Sequence, residues 1–135
     1  MGATNAEVLD GIETALSAGC PGVNVYRVPP QDVVAPAVML TGFTFEPHLH
    51  FGDGARRFDV ELTVAVSGRN VDAFNDLLAL MDPANSRSVQ AALEDDPTLG
   101  GRVSDLRMST TGDLRELTVG ESGFWAMTAQ FEVIG

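Results

Sequence analysis

The sequence predicts an α+β fold, with a mixed, mostly antiparallel sheet and helices packed on one face. Three observations carry this. Residues 58–67 alternate strictly, placing Phe58, Val60, Leu62, Val64 and Val66 on one face and Asp59, Glu61, Thr63 and Ala65 on the other; period two marks a strand half-buried against a core. The N-terminus carries a capped amphipathic helix. Strand runs then lie on both sides of a helical pair, giving the order α-β-β-β-α-α-β-β-β, which favours a sheet with its helices on one side.

The elements follow in chain order. Thr4 and Glu7 form a T-x-x-E capping box, in which each side chain satisfies the other residue's exposed N–H. Val8, Leu9, Ile12, Ala15 and Leu16 recur at helical spacing behind it. Gly19 is expected to end the helix as a left-handed cap. Residues 23–28 read as a brief strand stopped by Pro29-Pro30, since proline cannot donate to a ladder. A second strand runs from near Ala35 towards Phe43, with Pro36 marking a sheet edge or a strand end.

Residues 45–57 hold the turn formers Pro47, Gly52 and Gly54 yet also Phe45, Leu49 and Phe51. A loop of this length is uncommon in a compact domain and is often functional. After the central strand, Phe74, Leu77, Leu78 and Met81 fall at i, i+3, i+4 and i+7 of a helix ended by Pro83. A short helix over residues 86–95 turns Val89, Ala92 and Leu93 inward. Strands are expected at residues 103–109 and 114–119, separated by Thr111-Gly112-Asp113. The turn at residues 120–123 leads to a last strand with Trp125, Met127, Ala129, Phe131 and Val133 on one face. One domain over residues 1–135 accommodates all of this.

Charge and composition narrow the function. Eight basic residues against nineteen acidic ones give a formal net charge of −11. Nucleic-acid binding rests on Lys and Arg neutralising phosphates, and the basic residues cluster only at Arg56-Arg57. Such a chain repels DNA, which suits either solubility or a wall past which DNA slides. No apolar run reaches the roughly 18 residues of a membrane-spanning helix. Residues 1–10 lack the basic start and apolar core of a signal peptide, so folding in a cytoplasm is expected.

Few residues suggest covalent chemistry. Cys20 is the sole cysteine, which excludes an internal disulfide and leaves a packed thiol as the simplest reading. His48-Leu49-His50 with Asp53 is the one candidate metal constellation, because histidines at i and i+2 share a side of an extended chain. It supports an alternative reading as a small metal-dependent or ligand-binding domain. Glu94, Asp95 and Asp96 sit at a helix C-terminus, where their charge opposes the dipole, and read as a solvated or partner-facing turn. No P-loop, dinucleotide-binding glycine motif or nucleophile elbow is present. No cofactor and no catalytic residue is expected.

The whole-chain pattern is more informative than any motif. VYRVPPQDVVAPAVML after the capped helix resembles the opening of tail terminator (tail completion) proteins of actinobacterial long-tailed phages. The resemblance continues through FDVELTVAVSGRNVDAFNDLLALMDP and SVQAALEDDPTLGGRVSDLRM and closes with FWAMTAQFEVIG. It implies a virion subunit in the neck region that forms a homo-oligomeric ring, typically a hexamer. That ring caps the tail tube protein, ends its polymerisation and meets a head-side connector or neck protein. DNA passes through without specific binding, and no membrane is involved. A head-side neck or head-completion protein would share this pattern and differ in its partner. Phe43, Phe45, His48, Leu49, His50, Phe51, Arg56 and Arg57 are the expected subunit or tube interface, since apolar side chains in a long loop are explained by docking.

Overall fold

A computed structural model of the chain describes residues 3–28, 31, 33–46, 57–68, 71–119 and 122–135. Its elements appear in the expected order: α1 (Asn5–Gly19), β1 (Asn24–Tyr26), β2 (Ala37–Phe45), β3 (Arg57–Ser67), α2 (Val71–Met81), α3 (Val89–Glu94), β4 (Asp105–Thr111), β5 (Arg115–Val119) and β6 (Ser122–Ile134). The sheet runs β1-β2-β3-β6-β4, with β5 also paired to β6. The β1–β2 pair is parallel and the others are antiparallel. The fold is α+β with a mixed, mostly antiparallel sheet. No helix among the described residues is long and apolar enough to cross a membrane.

Alternation in β3 organises the core. Phe58, Val60, Leu62, Val64 and Val66 are all buried, and each faces a β6 residue in unbroken register from Arg57↔Ile134 to Ser67↔Phe124. Val8, Ile12 and Leu16 of α1, Ala73, Leu77 and Met81 of α2, and Val89 and Leu93 of α3 join the same buried cluster. All three helices therefore cover one face. On β6, Ala129, Phe131 and Val133 lie in that cluster with Trp125 and Met127 packed against it, as expected.

Three details differ from the sequence reading, and at Pro36 one of its two alternatives holds. The inward stripe of α2 is Ala73, Leu77 and Met81, while Leu78 is 43% exposed. Phe74 instead meets Trp125 edge-on, with ring centroids 6.4 Å apart. Gly19 closes α1 within its last turn, and Cys20 is the cap, its N–H donating to the Leu16 carbonyl. Of the two alternatives at Pro36 the strand end holds: it marks the start of β2, whose first residues, 37–39, pair with β1 and are not a sheet edge. Finally, β4 and β5 follow one another along the same side of β6. The ladder breaks at residues 112–114, where a Cβ on Gly112 would lie 1.9 Å from the Thr128 hydroxyl.

The second face of the sheet is partly covered. Met39, Ala65, Phe124 and Ala126 form a small buried cluster there, overlaid by Tyr26, Val33, Ala35 and Leu117. The connection from β1 to β2 thus crosses this face. It is tied down by Asn24 Nδ2 donating to the Val34 carbonyl at 2.8 Å and by the Val34 N–H donating to the Tyr26 hydroxyl at 3.3 Å.

Two N-caps fix the helix starts. Thr4 Oγ1 accepts from the Glu7 N–H at 3.1 Å and Glu7 Oε1 from the Thr4 N–H at 3.2 Å, both exposed. Ser88 is fully buried, and its hydroxyl accepts from the Ala91 N–H at 3.1 Å. Removing a cap costs about 0.5–2 kcal/mol, and an unsatisfied buried N–H lies at the upper end. Chemical denaturation is expected to show Ser88→Ala destabilising the protein more than Thr4→Ala. The reverse order would contradict the burial argument.

Candidate subunit interface

The end of the sheet where β2 leaves and β3 returns carries an aromatic ladder. The pairs Phe45↔Phe58 and Phe43↔Val60 place Phe43, Phe45 and Phe58 on the helix-covered face, because a bulge at Thr41 resets the alternation of β2. Phe43 lies 5.9 Å from both Phe58 and Phe45 between ring centroids, tilted by 32° and 42°. Such tilted contacts suit the quadrupoles of the rings. Phe58 is fully buried, Phe43 half-buried and Phe45 44% exposed, so the ladder runs from the core to the surface.

Arg57 stands at the foot of this ladder. Its Nη2 lies 3.2 Å from Asp59 Oδ1 and 3.5 Å from Glu132 Oε2. Its backbone N–H donates to Glu46 Oε1 at 3.1 Å. The hydrogen bond to Asp59, with the fields of Asp59 and Glu132, raises the guanidinium pKa above its ordinary value. Arg57 therefore has internal partners as well as a solvent-facing position. Of the expected interface residues, Phe43 and Phe45 meet on the helix-covered face, while Arg57 stands at the same end of the sheet with its side chain on the opposite face. His48, Leu49, His50, Phe51 and Arg56, with Asp53 of the metal constellation, lie outside the described residues.

Beside Arg57, the half of the second face that no described residue overlies is polar and acidic. Asp59 and Glu61 of β3 stand opposite Glu132 and Gln130 of β6. Thr41 Oγ1 donates to Glu61 Oε1 at 2.9 Å and lies 2.9 Å from Thr63 Oγ1. Ser109 Oγ donates to the Gln130 carbonyl at 3.1 Å. The result is a shallow depression of about 200 Å³. Alternation in β3 already pointed Asp59 and Glu61 this way; the contribution of Glu132 and Gln130 depends on which strand lies next, which local pattern does not reveal.

The other sequence candidates have structural roles. Asp96 accepts from the Thr98 hydroxyl at 2.6 Å and from the N–H groups of Thr98 and Gly100, at 3.0 and 2.9 Å, and these bonds hold its carboxyl below the usual range. Glu94 accepts from the Met108 N–H at 2.9 Å. Neither belongs to an acid/base pair. Cys20 is buried, which pushes its thiol pKa up and away from the reactive thiolate. A larger groove of about 540 Å³ lies between α1 and α3, walled by the small residues Gly11, Ala15, Gly19 and Ala92, with Asp95 and Arg102 also lining it. Sequence reasoning did not anticipate it, since it arises from where two helices cross.

No family model matches the chain, and no curated protein does. Among solved structures, the chain is similar to one in a structure described as "Virion of native gene transfer agent (GTA) particle". The two superpose with a TM-score of 0.48 at 17% identity, over 98% of this chain and 96% of that one.

Proposed function

We propose that this chain is a structural virion protein of a long-tailed phage. Its role is that of a tail terminator, a ring that caps the tail tube, ends its growth and meets the head-side connector. The work is geometric, with no bond made or broken. A head-to-tail contact closes into a ring when its rotation divides a full turn, and such a ring offers one face that continues the tube and one that does not.

The observation that carries this reading is the aromatic ladder ending in exposed Phe45, read with the whole-chain resemblance to tail terminators. Burying one phenylalanine contributes roughly 1.5–3 kcal/mol, so Phe45, 44% exposed, gains from further burial against a neighbour, and the sequence that follows it supplies two more large apolar side chains, Leu49 and Phe51. The acidic half-face formed by Asp59, Glu61 and Glu132, in a chain of formal net charge −11, supports a wall that does not hold DNA.

The test is Phe45→Ser combined with Leu49→Ser and Phe51→Ser. Phe43 and Phe58 remain to fill the core, so the triple variant is expected to stay folded by circular dichroism and to run as a monomer in light scattering. A ring of unchanged mass would refute the assignment of this surface.

A further inference from the structure

Among the described residues the sheet is open along β1 and the rest of β2 on one side, and along β4 and β5 on the other. β1 has three residues, too short to template another strand, whereas β4 has seven. A row of unpaired N–H and C=O groups on such an edge invites pairing with another chain, and proteins blunt long edges by several devices. β4 carries neither proline nor lysine, and its one register shift, between Met108 and Thr110, lies beyond the outward N–H groups of Leu106 and Met108.

Register shows which groups of β4 face outward. β6 pairs with β3 without interruption, so its alternate residues turn their backbone groups towards β4. Thr128 and Ile134 are two of them, accepting from the N–H groups of Gly112 at 2.8 Å and Ser104 at 2.7 Å. The pairs Arg107↔Glu132 and Asp105↔Ile134 continue this set, which leaves the N–H groups of Leu106 and Met108 pointing to the outer edge. The Met108 N–H meets the carboxylate of Glu94, donating to Oε2 at 2.9 Å. Gln90, one turn earlier in α3, donates to both oxygens of Glu94 at 3.3 Å and steadies it.

We propose that Glu94 is the guard of this edge: by occupying the outward N–H of Met108 it keeps β4 closed to strand addition by a second copy of the chain. An acceptor placed there takes the donor that an incoming strand needs, and a carboxylate also repels that strand's carbonyl groups. Glu94 stands at the C-terminal end of α3, where its charge is unfavourable to the helix; edge protection gives that placement a reason.

Three variants test this. Glu94→Ala removes the acceptor, Glu94→Asp keeps the charge but falls short by one methylene, and Glu94→Gln keeps an acceptor of the same reach. In dilute solution, Met108 amide exchange is expected to become about tenfold faster or more in the Ala and Asp variants, the factor that loss of a hydrogen bond to a charged group implies. At high concentration their weight-average mass is expected to rise to at least about twice that of the wild type, as pairing of copies requires, while the Gln variant keeps the wild-type mass. If Glu94→Ala does not fold, Glu94→Asp decides. Fast Met108 exchange at wild-type mass would overturn the guard, and so would association of the Gln variant without that of the Asp variant. Each mass is compared with that of the wild type, whatever ring it forms, so the ring reading and the guard can fail separately.

Discussion

Replacing Phe131 with alanine is expected to lower the unfolding free energy by about 3–5 kcal/mol, the largest single loss anticipated in this chain. Phe131 is 1% exposed and lies on β6 between Val60 of β3 and Met108 of β4. Its ring faces the layer that all three helices share. Deleting it removes transfer free energy and leaves a cavity that close-packed strands on both sides cannot collapse to fill. Domains of this size have about 5–15 kcal/mol in total, so the loss consumes a large share. Urea denaturation is the direct check: the midpoint falls while the slope is unchanged. A loss below about 1 kcal/mol would mean that β6 is not central to the core.

Gly19→Ala is expected to destabilise the chain by about 1–3 kcal/mol, the cost of overpacking a tight contact. A Cβ at this position would lie 2.5 Å from the Ala92 Cβ and 2.8 Å from its Cα. The second of these is backbone, so α1 and α3 must separate. Alanine is otherwise the better helix former by about 1 kcal/mol, and a purely local view predicts the opposite sign. Ala92→Gly in the Gly19→Ala background is expected to recover part of the loss, with a coupling of about 0.5–3 kcal/mol in a double-mutant cycle. Gly19→Asn separates this account from a left-handed cap: asparagine is tolerated in such a cap, whereas close approach makes it at least as costly as alanine. Thermal denaturation of Gly19→Ala, Ala92→Gly, the double variant and Gly19→Asn provides the answer.

What was legible in the sequence was what local spacing determines. The T-x-x-E box at Thr4 and Glu7 appears in the structure with both hydrogen bonds. The alternating run through Phe58 and Val66 became the strand around which the sheet is built. Element order followed because turn formers punctuate the chain at each boundary. What was missed depends on neighbours distant in sequence. Leu77 and Leu78 are equally apolar, and only the position of α2 over β3 decides which is buried. Gly19 looked like a helix terminator because nothing local discloses Ala92 against it. Likewise, the cover that Val33 and Ala35 provide over Met39 and Ala65 exists because the β1–β2 connection crosses the sheet, a consequence of topology.

The candidate interface divides in the same way. Phe43, Phe45 and Arg57 were singled out as loop or strand-end residues, and the ladder linking Phe45 through Phe43 to the core emerges only with the register of β2 on β3. The bulge at Thr41 is what brings both rings to the face of Phe58, and no residue type announces a bulge at that position. Of the two acidic partners of Arg57, Asp59 lies two residues on along its own strand, while Glu132 required the pairing of β3 with β6.

The tail-terminator reading depends on copies of this polypeptide closing around an axis. Negative-stain electron microscopy of the purified wild type addresses that directly. Annular particles of uniform diameter with an open centre are the predicted image; fields of compact single copies, unchanged up to the highest soluble concentration, would contradict it.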